Sequence, residues 1–264
     1  MDQGNHDPHH QSKASKVQVK AQLSNEGCRS DELCADRITL ELPGAEETPE
    51  QRSFAFGRKT YRFFDGDDVS RETLLNLLSP KDRGCTPRSL TDITIEELGY
   101  LLRNLGQFKS EHRLLPKYAY ASPGALYTTQ LYLEVHGLFG LRSGVYYYHP
   151  LHHTLVLVAE METQDTVEIK THFIGKYDAI ELVYKNNIIE VLEMETGHML
   201  GVFDDVLPEV GLGVGKGKHL ESLPSWYDGA ANDYYIAEFE IVSALHAIEP
   251  ENTELYVQSH SKFI

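Results

Sequence analysis

The chain has 264 residues, with 24 Lys plus Arg against 40 Asp plus Glu, for a net charge of −16. Its 41% hydrophobic and 24% charged residues are ordinary for a globular protein long enough to bury a core. The acidic balance argues against nucleic acid or an anionic membrane as a partner, and no apolar run approaches the roughly 18 residues of a membrane span.

The opening MDQGNHDPHHQSK has no apolar stretch of a secretory signal, and Cys28, Cys34 and Cys85 have no metal-ligand spacing. Both features point to the cytoplasm. Residues 1–50 read as a variable N-terminal segment, partly disordered at its start, and 51–264 as the folded domain. Within the first segment, alternation over Val17–Leu23 and Ile38–Leu42 predicts one or two short strands. After Ser70, the series Leu74, Leu75, Leu77 and Leu78 predicts a helix that stops at Ser79-Pro80. Thr94 and Glu97 have capping-box spacing and open another helix, with Leu98, Leu101, Leu102 and Leu105 on one face.

Leu126–Val135 leads from a loop into a strand. Gly144–Tyr148 and Thr154–Ala159 form a hairpin around His149–His153. Apolar steps of three and four from Ile180 to Leu207 predict one continuous helix, about 40 Å long, in a central or intersubunit position. Gly197 and Gly201, one turn apart, would let another backbone approach it. Pro208 and Gly211 end it. Gly211–Lys218 reads as a flexible or ligand-contacting loop, and Ile236–Ala247 as the last strand.

Four segments carry candidate chemistry. Arg58-Lys59-Thr60-Tyr61-Arg62 puts three cations and a hydroxyl into five residues, a set able to hold a phosphate or to form a solvated basic patch. Ser122-Pro123-Gly124-Ala125-Leu126-Tyr127 is a turn whose small residues admit a flat ligand, or simply join a helix to a strand. Gly211-Leu212-Gly213-Val214-Gly215-Lys216-Gly217-Lys218 fits neither phosphate-loop nor dinucleotide glycine spacing. In Tyr184-Lys185, an ammonium beside a phenol favours the phenolate, a usable base; alternatively the phenol packs and the amine is solvated. The turn histidines and His198 show no HExxH pattern, and no metal is expected.

In order and spacing these segments resemble the nitroreductase-like flavoproteins, and within them the SagB-type azoline oxidases and the oxidase domains of nonribosomal peptide synthetases. The resemblance runs from about Arg52 to Gly217. It includes Arg58–Arg62, Ser122–Tyr127, Gly144–Tyr148, Glu195-Thr196-Gly197 and Gly211-Leu212. Two departures are Ser122-Pro123, reversed relative to the family's Pro-Ser, and Thr128 in place of a proline.

The resemblance implies an α+β sandwich with a long central helix in a domain-swapped homodimer. It implies FMN held by Arg58, Lys59, Thr60, Arg62, Ser122, Pro123, Gly124, Gly215 and Gly217. Tyr184 and Lys185 would be catalytic. The implied reaction dehydrogenates a thiazoline or oxazoline on a synthetase carrier domain, in trans, with molecular oxygen as the electron acceptor. The alternatives are an NAD(P)H-dependent nitro or quinone reductase of the same fold, a non-catalytic scaffold partner of a synthetase or cyclase, and maturation of a ribosomal peptide.

Overall fold

A computed structural model of the chain describes residues 18–30, 34–57, 86–111, 113–181 and 183–247. The architecture is α+β. Seven antiparallel strands form one sheet in the order β1 (Thr39–Glu41), β6 (Thr154–Glu160), β5 (Gly144–His149), β4 (Thr129–His136), β7 (Glu168–Gly175), β9 (Tyr234–Ser243), β8 (Leu212–Lys218). A hairpin of β2 (Phe108–Ser110) and β3 (Arg113–Lys117) stands apart. The helices are α1 (Pro49–Gly57), α2 (Ile95–Arg103), α3 (Tyr177–Glu181) and α4 (Ile188–Val206).

The expected capping box is present. Thr94 Oγ1 accepts from the Glu97 amide at 3.2 Å, and Glu97 accepts from the Thr94 amide at 3.0 Å. Arg88 pairs with the same carboxylate and, with the capping bonds, holds it below the usual range. The β5–β6 hairpin forms as predicted, and its turn places His153 between Tyr148 and the Pro43 carbonyl.

Three expectations are corrected. Residues 18–23 are helical, not a strand. Among the described residues no strand partners this segment, and Lys20, Ala21, Gln22 and Leu23 are all good helix formers. The predicted continuous helix over Ile180–Leu207 is broken, with α3 ending at Glu181 and α4 starting at Ile188. Asn187 stops propagation by entering the left-handed region at φ 60, which asparagine tolerates better than most residues. The remaining helix is about 28 Å long. Finally, Gly211–Lys218 is not a loop: after Gly211, at φ 80, the segment is edge strand β8. The predicted helix after Ser70 lies outside the described residues, as does the Arg58–Arg62 cluster.

The sheet is buried on both sides. Leu131, Leu133, Val135, Phe173 and Ile169 face the core made with α4, while Tyr132, Tyr147, Ile174 and Tyr235 pack under Trp226 and Tyr227. The N-terminal arm joins this packing. Gln130 Nε2 donates to the Gly27 carbonyl at 2.7 Å, and a Cβ at Gly27 would lie 2.2 Å from the Tyr127 carbonyl oxygen. Only glycine fits beneath that loop.

The second face also carries a strip of alternating charge. Lys218 contacts Glu238 at 2.7 Å, Glu238 lies 3.6 Å from His172, and His172 lies 3.3 Å from Glu134. Glu134 also meets His136 at 3.2 Å and Lys170 at 3.7 Å, and Lys170 meets Glu168 at 3.2 Å. Glu134, His136 and Glu168 have metal-ligating atoms within 4.8 Å of one another. The Lys170 ammonium, bridging the two carboxylates, is the cation of this cluster. No helix among the described residues is long and apolar enough to cross a membrane.

Two outcomes follow. Thr94→Ala removes the hydroxyl cap and should cost about 1 kcal/mol in denaturant unfolding. His172 and then His136 hold the Glu134 carboxyl at about 2, against the opposing effect of its burial. A depressed folded value stabilises the protein above the unfolded value of 4.5, and that stability is lost as pH falls through about 2. Urea midpoints measured across this window should fall more steeply for the wild type than for Glu134→Gln.

Candidate functional site

The loop from β3 to β4 is where the chain departs most from regular backbone. Gly124, Ala125 and Tyr127 all have positive φ, at 68, 59 and 54. For Ala and Tyr this costs on the order of 1–2 kcal/mol each, so packing must hold them there. Leu126 is fully buried between them. The Tyr127 ring stacks on Tyr118 at 3.9 Å and meets Tyr120 edge-on at 5.7 Å. Ala125 N–H donates to the Ser122 carbonyl at 3.0 Å, and Lys176 N–H to the Thr128 carbonyl at 2.9 Å.

Helix α4 grips the same loop. Glu195 is 1% exposed. Its Oε2 accepts from the Ser122 hydroxyl at 2.5 Å and its Oε1 from the Thr129 amide at 2.7 Å. Burial pushes the carboxyl up, and the bonds from Ser122 and Thr129 oppose that rise. Ser122 Oγ in turn accepts from the Tyr127 amide at 2.8 Å. One turn on, His198 Nδ1 lies 3.0 Å from the Ala121 carbonyl, which fixes the proton on that nitrogen. Residues 121–125 remain half-buried, so the turn presents backbone at the surface.

Tyr184 reaches this turn. A Cβ built on Gly124 would sit 3.5 Å from the Tyr184 hydroxyl and 3.4 Å from Leu126 Cγ. Tyr184 lies in the break before α4, with its amide on the Ile180 carbonyl at 2.9 Å and its side chain packed against the core. Lys185, the next residue, is exposed. Of the residues singled out in the sequence, Gly124 therefore meets Tyr184, with Ser122 and Pro123 in the same turn; Lys185 is adjacent in sequence and exposed.

Gly215 and Gly217 sit on β8 and face β9. Added Cβ atoms would lie 2.8 Å from a Val242 methyl and 2.3 Å from Phe239, so internal packing already accounts for both glycines. Arg58, Lys59, Thr60 and Arg62 lie outside the described residues. Gly197 and Gly201 have no described atom within 4 Å of an added Cβ. They leave an open strip on α4 beside exposed Met194 and His198.

Sequence reasoning missed the role of Glu195. A signal was available: Glu195 follows Val191 by four residues and Leu192 by three, and precedes Met199 by four. A carboxylate in the middle of an apolar stripe must be paired once buried.

Residues 121–125 are half-buried, the Tyr184 ring lies against Gly124, and α4 holds the turn through Glu195 and His198, an arrangement with backbone and a phenol available to a ligand.

No family model matches the chain. It is 51% identical over 260 residues, 98% of its length, to indigoidine synthase of Streptomyces lavendulae. It is 48% identical over 261 residues, again 98%, to indigoidine synthase of Dickeya dadantii. The chain spans only 20% and 17% of these curated relatives. Among solved structures, a provisionally assigned nitroreductase from Ralstonia eutropha matches at 18% identity and TM-score 0.49, over 70% of this chain and 88% of its own. A chain of the Escherichia coli microcin synthetase McbBCD complex matches at 17% identity and TM-score 0.48, over 88% and 94%.

Gly124→Ala should destabilise the chain by about 1–2 kcal/mol, because alanine pays for positive φ. Chemical denaturation measures this directly, and Pro123→Ala, at an ordinary φ, is the control.

Proposed function

We propose that the chain is an FMN-dependent oxidase of the nitroreductase-like type, serving as the dehydrogenating segment of an indigoidine-synthase-like assembly. It removes two hydrogens from a substrate presented by that assembly. The observation that carries this reading is the meeting of the Ser122–Ala125 turn with Tyr184, two segments 60 residues apart that the family resemblance assigns to the flavin and to the base. The high identity to a segment of both indigoidine synthases supports placing the reaction in a larger synthase.

In this reading the backbone of Ser122–Gly124 meets the flavin ring, and Arg58, Lys59, Thr60 and Arg62 take its phosphate and ribityl chain. Gly215 and Gly217, whose missing side chains make room for β9, would offer the flavin only the backbone of β8. FMN, when bound, supplies the hydride acceptor, and molecular oxygen takes the electrons onward to peroxide. The chain's own groups orient the substrate and move its proton. Tyr184 or Lys185 takes an acidic C–H proton from the carbon next to the one that loses hydride. Two copies pair through the outer face of α4, where Met194, Gly197 and Gly201 leave apolar and backbone surface for a second helix.

A second reading keeps the same chemistry and changes the substrate. The order of motifs favours an azoline ring on a carrier-bound peptide, oxidised to a thiazole or oxazole with aromaticity as driving force.

The test uses the purified chain loaded with FMN. It is incubated with aminoacyl and thiazoline thioesters under air, and products are weighed by mass spectrometry. A loss of two hydrogens that requires FMN and oxygen is expected. Tyr184→Phe and Lys185→Ala should each lower turnover by about 100-fold with flavin still bound. Rapid bleaching by NAD(P)H without substrate oxidation would instead make it a reductase. Absence of flavin, with activity of the assembly unchanged in both variants, would make it a scaffold.

A further inference from the structure

Ser122 has one hydroxyl proton and two lone pairs to spend. The proton goes to Glu195 Oε2 at 2.5 Å, and one lone pair takes the Tyr127 amide at 2.8 Å. The Pro123 carbonyl, at 3.5 Å, is too far to compete for that proton. The other Glu195 oxygen takes the Thr129 amide at 2.7 Å. In the chain of bonds from Tyr127 N–H through Ser122 O–H to Glu195, met from the other side by Thr129 N–H, the Ser122 proton is already spent.

We propose that Ser122 and Glu195 act as one positioning pair that sets the shape of the Ser122–Ala125 turn for its ligand, and that the Ser122 hydroxyl is not itself a ligand donor. This rests on reading that turn as the flavin contact. It also changes the role that the sequence gives Ser122: the residue serves the site by holding backbone, not by touching the cofactor with its side chain.

Three features support it. The bonded groups bracket both strained residues, Ala125 and Tyr127. Glu195 is buried and Ser122 is half-buried, so the pair links the core to the surface of the turn. His198 ties the preceding residue, Ala121, to the same helix turn. A loop held at both ends by one helix keeps its backbone carbonyls and amides in fixed directions, which is what a bound planar ring requires of it.

The experiment pairs FMN affinity, from quenching of its fluorescence, with hydrogen exchange at the Tyr127 and Thr129 amides. Both are measured on the full chain carrying Ser122→Ala, Ser122→Thr, Glu195→Gln or the Ala–Gln double change. Glutamine keeps an acceptor for Thr129 and can donate to Ser122 Oγ, so this variant buries no unpaired charge. Ser122→Ala and Glu195→Gln should each weaken FMN binding about tenfold and speed exchange at Tyr127. The double variant should be no weaker than the worse single one, and threonine should restore affinity.

Additive losses would overturn the proposal, as would loss of affinity in Ser122→Ala with Tyr127 exchange unchanged, because the hydroxyl would then be a direct contact. Faster exchange with affinity unchanged would also overturn it, leaving the pair a folding element alone. If the wild type binds no FMN, the flavin reading fails by itself. Exchange then still decides the pair, since unchanged rates at both amides in both single variants would remove it.

Discussion

One buried carboxylate organises this molecule. Glu195 is the point where α4, the Ser122–Thr129 loop and the start of β4 meet, and each contributes to the same pair of oxygens. An ionised carboxylate removed from water is costly unless donors replace the water it loses. Here the donors are a hydroxyl and an amide, and satisfying the acid fixes where the loop must lie. The loop in turn holds backbone conformations that alanine and tyrosine avoid. Without the anchor, those residues have no reason to stay at positive φ.

The elements set by local sequence were legible. The capping box at Thr94 and Glu97 and the β5–β6 hairpin depend on neighbours a few residues away, and they formed where expected; the last strand, read over Ile236–Ala247, runs from Tyr234 to Ser243 and gives way to a short helical turn at Ala244–His246. The failures share another cause. Over Ile180–Leu207 the apolar period continues unbroken, and it hid the break because Tyr184, Asn186 and Asn187 are weak rather than forbidden helix residues. The glycine-rich run at 211–218 was misread because its glycines suggest mobility. In the fold they make room for Val242 and Phe239 on the neighbouring strand, a long-range fact that a local reading cannot contain. The arm at 18–23 shows the reverse error, since alternation over seven residues is a weak signal with no strand to pair it.

The candidate site divides along the same line. The turn at Ser122–Tyr127 was visible as a set of small and turn-forming residues. Its strain was not, because nothing in Ala125 or Tyr127 announces positive φ. That conformation is imposed by the stacking of Tyr127 on Tyr118 and by the bond from its amide to Ser122, contacts made across the fold and across a tight turn. Tyr184 was singled out as a helix residue, and it lies outside any helix. Its place in the break before α4 is what frees its ring to approach Gly124.

The reversed order of Ser122 and Pro123 becomes intelligible in these terms. Pro123 occupies the first central position of a β-turn closed by the Ala125 N–H on the Ser122 carbonyl, where its fixed φ is preorganised, and Gly124 supplies the positive φ of the next position. Ser122 stands just before it with extended backbone, at φ −125. From there its hydroxyl reaches inward to Glu195 and accepts from the Tyr127 amide that closes the turn. Exchanging the two residues would put the proline where the inward hydroxyl now stands and the serine inside the turn, with a different direction for its side chain. In this chain the hydroxyl of residue 122 is thus what meets the buried acid at 195, as the rule that buried polar groups are hydrogen-bonded requires.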